Sequence, residues 1–289
     1  MKTTNIVLGT VQFGLNYGIN NDKGKPEIEN VFELFDFALE NGVRKLDTAF
    51  GYGNAQEIIG TYHKKYSKQF TVDTKFEISD KATIADQLHM ATEKLNVSGV
   101  DIYYYHSFND FKEYPDSIHD LLKLKEEKEI NKIGLSVYGN DQFLQAIETQ
   151  GIDAIQLPFN LLDNQKKRGD LLRLAKLKGK EILTRSSFLQ GLFFKTISSF
   201  PPVLKPMEKY IVALQQISKE YEIGMEQLAL SYVFAQKEID HLVLGVDNIA
   251  QLRSNIKQCS LPLNGGAKKK IDEIDVVEEN LLYPFNWKI

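Results

Sequence analysis

Eight short apolar runs recur along the chain, with helical patterns of three- and four-residue apolar spacing between them. The runs are Ile6–Leu8, Lys45–Asp47, Thr71–Lys75, Val100–Tyr105, Ile133–Val137, Ala154–Leu157, Glu181–Thr184 and Leu242–Leu244. A helix between successive strands rules out hairpins, so the strands are expected to pair in parallel. Closing eight of them into a barrel leaves no sheet edge. An open doubly wound sheet competes, but it should carry a glycine-rich phosphate loop after an early strand. No Gly-x-Gly-x-x-Gly occurs there. The rhythm predicts an α/β fold, a (β/α)8 TIM barrel with extra helices near the C-terminus.

Length agrees: 289 residues suit one such barrel, typically ~250 residues long. Two small domains would need a linker. The polar stretch from Asn20 to Asn30 comes too early, and apolar periodicity resumes directly after Phe200-Pro201-Pro202 through Pro206. The whole chain, residues 1–289, is therefore expected to form a single domain. The first helical face runs through Val31, Leu34, Phe35, Ala38 and Leu39 and stops at Asn41-Gly42. The next helix is expected to open at Asn54, with Glu57 in capping-box position. Further helices are expected over 84–95, 118–128, 142–149, 170–177, 207–220, 225–236 and 250–256.

Composition excludes several function classes. With 43% hydrophobic and 26% charged residues, the chain is not a disordered one. Its 35 Lys+Arg against 39 Asp+Glu, without a long basic block, argue against nucleic acid or an anionic membrane as partner. The run Lys268-Lys269-Lys270 reads as a solvated helix start. The single cysteine, Cys259, leaves no internal disulfide or cysteine zinc cage and suits a reducing compartment. The opening residues break off before an apolar signal core forms, and no apolar run approaches the ~20 residues of a membrane span. A cytoplasmic location is the expectation.

In a barrel of this kind chemistry sits on the loops at the C-terminal strand ends. Strand two ends Leu46-Asp47-Thr48-Ala49-Phe50-Gly51-Tyr52-Gly53, strand three ends in Lys75 and strand four in His106. Three of the first four strands thus present an ionisable group at one rim. The chain resembles the aldo-keto reductase superfamily over nearly its full length. The resemblance is carried by Leu8-Gly9-Thr10-x-x-Phe13-Gly14, by Asp47-Thr48-Ala49-x-x-Tyr52-Gly53-Asn54-x-x-Glu57-x-x-Gly60, and by Lys75 and His106. Ile133-Gly134-Leu135-Ser136, Gln156 and Gly245-Val246-Asp247-Asn248-x-x-Gln251-Leu252-Arg253-Ser254-Asn255 complete it. Asp-Thr-Ala-x-x-Tyr is the specific unit; the short glycine motifs add weight only in order.

The resemblance implies reduction of an aldehyde or ketone by hydride, and elementary chemistry agrees with the residues. Hydride addition puts negative charge on the carbonyl oxygen, which must be stabilised and protonated. A phenol of pKa ~10 is a poor donor near neutral pH, and an adjacent ammonium lowers that value. Tyr52 as acid, Lys75 as its tuner and Asp47 as the lysine's partner meet the need, with His106 hydrogen-bonding the carbonyl oxygen. Alone, each has a plainer reading: a packed loop tyrosine, a core histidine beside Tyr103-Tyr104-Tyr105, a rim ion pair. Their co-occurrence at successive strand ends favours the chemical one. His63, His89, His119 and His241 fall on helix or loop positions without partners.

By the same resemblance the hydride donor is a nicotinamide dinucleotide, NADPH first. Ser136 and Gln156 would hold the carboxamide, with Asn160 as companion, and Gly245, Asp247, Asn248, Gln251 and Asn255 would face the adenosine end. Arg185 stands where relatives stack an aromatic residue on the nicotinamide; a guanidinium there would disfavour the oxidised ring. Asp247 stands where NADPH users commonly carry Ser, and a carboxylate repels a 2′-phosphate, so NADH competes unless Arg253 or Lys257 offsets the charge. Asn16, Tyr17 and Asn20 on the first loop, and Leu192, Phe193 and Phe194 after strand seven, suggest a polyhydroxylated, sugar-derived carbonyl compound. That fits the likeness to a bacterial branch tied to surface-sugar pathways. The tail Leu281–Trp287 reads as a strap on the helices rather than a substrate wall. Two rivals remain: a cofactor-binding regulatory subunit with little turnover, and a Schiff-base aldolase using Lys75.

Overall fold

The computed structural model describes residues 2–19, 21, 24–79, 81–287. Eight strands form a closed, all-parallel barrel in sequence order: β1 (Ile6–Gly9), β2 (Lys45–Asp47), β3 (Thr71–Phe76), β4 (Val100–Tyr105), β5 (Ile130–Ser136), β6 (Ala154–Pro158), β7 (Glu181–Arg185) and β8 (His241–Gly245). Closure comes from β8 on β1, Ile6 lying opposite Leu242 and Gly9 opposite Gly245. All eight expected runs are strands, and several extend one to three residues further than apolarity alone marks.

The helices are α1 (Val11–Gly14), α2 (Ile28–Glu40), α3 (Ala55–Tyr66), α4 (Ile84–Leu95), α5 (Phe108–Glu113), α6 (Ile118–Glu126), α7 (Asn140–Glu148), α8 (Gln165–Leu177), α9 (Glu208–Glu220), α10 (Met225–Phe234), α11 (Ile249–Cys259) and α12 (Gly265–Glu273). Thr83 opens α4 with a reciprocal capping box to Asp86. The box expected at Asn54 does not form. Asn54 flanks α3, but its amide oxygen accepts from the Lys25 ammonium, and Glu57 pairs with Lys94 at 2.8 Å. The lysine run lies inside α12, where Lys268 reaches Asp272 and Lys270 reaches Glu220. Among the described residues no helix is long and apolar enough to cross a membrane.

Strand alternation sorts side chains into two cores. Leu8, Leu46, Tyr103, Tyr105, Ile155, Ile182 and Leu244 point outward into the large apolar layer beneath the helices. Val7, Ile102, Tyr104, Ala154, Leu183 and Val243 form a separate cluster inside the barrel. Gly134 makes room for it: a Cβ there would sit 2.2 Å from Tyr104 Cδ1. Two residues further along the same strands, the same parity delivers Gly9, Gln156, Arg185 and Gly245 to the C-terminal mouth. Asp47, Lys75 and Ser136 join them. One step the other way, toward the N-terminal ends, lie Lys45, Glu181 and His241.

Candidate active site

A cavity of about 860 Å³ opens at the C-terminal ends of the strands, within the range of small-molecule sites. Asp47, Tyr52, Lys75 and His106 all line it. At its floor the Lys75 ammonium donates to Asp47 Oδ2 at 2.6 Å and to the Thr48 carbonyl at 3.0 Å, both side chains being buried. The same ammonium lies 5.2 Å from the centre of the Tyr52 ring. The ring of His106 stands edge-on to Tyr52 at 6.0 Å, and its Nδ1 meets Glu77 Oε1 at 3.2 Å.

Electrostatics around these groups follow from burial and from the lysine. Burial pushes the Tyr52 phenol above its ordinary value; Lys75 pulls it back, Asp47 pushes it up and Arg185 pulls it down. The net direction is opposite to the lowering expected from Lys75 alone, because desolvation outweighs one cation. Burial would also lower the Lys75 ammonium, but the Asp47 charge, then Tyr52 and the hydrogen bond to Asp47, hold it above the ordinary lysine value. His106 is pushed below its usual value by burial and by Lys75, with Glu77 opposing.

Ser136, Gln156, Arg185, Gly245, Asp247, Gln251 and Asn255 line the same cavity. Several are already engaged. Gln156 Nε2 donates to Asp47 Oδ1 at 2.8 Å, which leaves its carbonyl oxygen to face a partner. Arg185 lays its guanidinium face on the Tyr138 ring, 4.2 Å from the centroid, so one of its two faces is taken by protein rather than by a ligand. The Asp247 backbone N–H donates to Gln251 Oε1 at 2.8 Å, and Gln251 returns its amide to Asp247 Oδ2 at 3.2 Å.

Two expected positions do not reach the cavity. Asn160 is fully buried and spends its side chain locally: Oδ1 accepts from the Leu162 and Asp163 N–H groups, and Nδ2 donates to the Ser186 carbonyl. Asn248 caps α11 by accepting from Gln251 N at 2.9 Å. Arg253 lies 4.4 Å over Phe37, and among the described residues no cation pairs with Asp247. Three of the four histidines set aside do have partners: His63 bonds Leu95 and Phe70, His89 meets Glu129, and His241 lies in β8 against Glu181.

On the first loop Tyr17 lines the cavity and accepts from Gln190 Nε2 at 2.9 Å, whereas Asn16 accepts from the Lys25 N–H; Asn20 lies outside the described residues. Leu192 and Phe193 are core, but Phe194 lines the cavity. The tail departs from a simple strap: Leu281, Leu282 and Trp287 pack inward, while Pro284 and Phe285 reach the cavity wall. Phe285 meets the Tyr138 ring at 4.6 Å. Tyr138 is a residue the sequence reading passed over, although it stands two beyond Ser136 at a strand end. Behind it the buried guanidinium of Arg168 donates to both Asp163 oxygens, to Asn140 Oδ1 and to the Tyr138 carbonyl.

The donor set suits a nicotinamide dinucleotide. Gln12 Oε1 and Asp247 Oδ1, both acceptors, and Ser187 Oγ are buried oxygens of lining residues without a hydrogen-bond partner, so the lining has polar capacity to spare for a ligand.

Comparison with known proteins bears on the whole chain. The model of the aldo/keto reductase family matches residues 5–276. The chain is similar to the aldo-keto reductase YhdN of Bacillus subtilis, with 23% identity over 95% of this chain and 90% of that protein. It is also similar to L-galactose dehydrogenase of Arabidopsis thaliana, with 25% identity over 98% of this chain and 94% of that protein. The holo form of an aldo-keto reductase from Bacillus halodurans superposes with a TM-score of 0.75 at 17% identity, covering 94% of this chain and 92% of that one. At that identity the likeness speaks for the fold.

Proposed function

Because the chain belongs to the aldo/keto reductase family, we propose that it reduces an aldehyde or ketone to the alcohol, with Tyr52 as the proton donor. Family membership makes it an oxidoreductase; the residue roles are our reading. The observation that carries them is the convergence of Tyr52, Lys75 and His106 on one cavity above the 2.6 Å Asp47–Lys75 pair. A reduced nicotinamide dinucleotide supplies the hydride when bound.

The phenol remains protonated at neutral pH and gives its proton to the nascent alkoxide. Lys75 stabilises the phenolate left behind, and Asp47 keeps the ammonium charged. His106, oriented through Nδ1 by Glu77, turns Nε2 to the carbonyl oxygen. Ser136 and the free carbonyl of Gln156 are assigned to the carboxamide. Gly245, Gln251 and Asn255 are assigned to the adenosine end. NADPH stands first by resemblance, while the unneutralised Asp247 tilts the balance toward NADH. The likeness to L-galactose dehydrogenase, with Tyr17 and Gln190 on the wall, supports a sugar-derived substrate.

A Schiff-base aldolase needs a neutral lysine, and the raised Lys75 disfavours it. The test is steady-state turnover of a generic aldehyde with each reduced dinucleotide, for the native protein and Tyr52→Phe. Loss of kcat by about a thousandfold is expected, with dinucleotide affinity kept. Binding without turnover in the native protein would instead support a regulatory subunit.

A further inference from the structure

Lys75 and Arg185 are the described lysine and arginine side chains that line the cavity, and Lys75 sits on a carboxylate partner, Asp47. Arg185 has none within ion-pair distance among the described residues. Its guanidinium face rests on the Tyr138 ring at 4.2 Å, and one N–H makes a long 3.4 Å contact to the Val137 carbonyl. A guanidinium stacked in this way keeps most of its in-plane N–H edge open. Leaving that charge uncompensated in a partly closed cavity is costly, and the cost is removed by an anion that arrives with the ligand.

We propose that Arg185 anchors a carboxylate of the substrate, so that the preferred carbonyl compounds are acids, such as semialdehyde acids or oxidised sugars. This rests on the carbonyl-reductase reading above. The position favours substrate: Arg185 lines the cavity against Tyr138, and its charge is felt by the phenols of both the proton donor Tyr52 and Tyr17 of the first loop. Tyr138 stacks on it, and the described cavity lining holds no second unpaired lysine or arginine. One guanidinium matches the single charge and planar fork of a carboxylate better than a phosphate dianion.

The measurement is kcat/KM for para-carboxybenzaldehyde over its neutral isostere para-carbamoylbenzaldehyde. It is made for the native protein, R185Q and R185K, alongside dinucleotide affinity. The native protein should favour the acid, R185Q should reduce that ratio by about ten- to a hundredfold, and R185K should recover part of it. An unchanged ratio in R185Q overturns the proposal. So does a loss confined to dinucleotide affinity, which would give Arg185 to the cofactor's pyrophosphate. If neither aldehyde turns over, the reductase reading fails separately, and calorimetric binding of benzoate against benzamide decides. A benzoate preference lost in R185Q supports the anchor, and equal binding in both proteins sinks it.

Discussion

β2 and β3 each carry a lysine and an aspartate two residues apart on the barrel's inner face, in opposite order. Lys45 precedes Asp47, and Asp73 precedes Lys75. Two cross-strand pairs result, Lys45–Asp73 at 3.0 Å toward the N-terminal end and Asp47–Lys75 at 2.6 Å toward the mouth. Their surroundings separate them. Lys45 also meets Asp101 at 2.6 Å, and the chain of charges continues through Lys132 and Glu181 to His241. Burial would raise Glu181, but hydrogen bonds from His241 and Lys132 hold it down to about 2. Lys45 and Lys132 are each answered there by carboxyl groups of the protein itself. At the mouth, Asp47 is shared with an amide and Lys75 faces the Tyr52 ring and the cavity. A buried ion pair becomes chemically useful where its neighbours leave it an unfilled direction.

The comparison breaks most sharply with paired substitutions. Lys75→Met should lower kcat by about a hundredfold or more and remove roughly 3–5 kcal/mol of stability by leaving Asp47 unpaired. Lys45→Met should cost stability of the same order and leave kcat near the native value. Denaturant titration beside steady-state kinetics reads both, and a matching kcat loss in Lys45→Met would erase the difference between the two pairs.

A smaller effect concerns Asp73. Burial pushes its carboxyl up to about 8 against the pull of Lys45, and its Oδ2 is buried without a partner. An unfolded aspartate titrates near ~4. Between those values the folded chain holds the extra proton, so this group's contribution to stability falls as pH rises from about 4 to about 8. Asp73→Asn removes that slope. The native melting temperature should drop relative to the variant's between about pH 6 and about pH 8, and parallel curves would refute the assignment.

Smallest is Asp247→Ser, which should shift the NADPH-to-NADH ratio of kcat/KM toward NADPH by about tenfold. An unchanged ratio would place Asp247 away from the ribose.

The barrel was legible because strand and helix periods alternate without interruption, and the floor of the site because parity sends Asp47, Lys75, Gln156 and Arg185 to one mouth. Of the asparagines assigned to the ligand, Asn255 lines the cavity, whereas Asn160 and Asn248 spend their side chains locally. Asn160 and Asn248 sit at the right strand ends, but a short amide satisfies nearby backbone N–H groups before it reaches a ligand. The net direction of the Tyr52 shift depends on desolvation, which spacing does not encode. Tyr138 and Phe285 meet across about half of the chain's length, and no local pattern announces that contact.

Arg168 grips the Tyr138 carbonyl from within the protein and also hydrogen-bonds Tyr283 of the tail that leans on the ring from outside. Changes in that terminal segment would therefore resize the doorway and shift its post together.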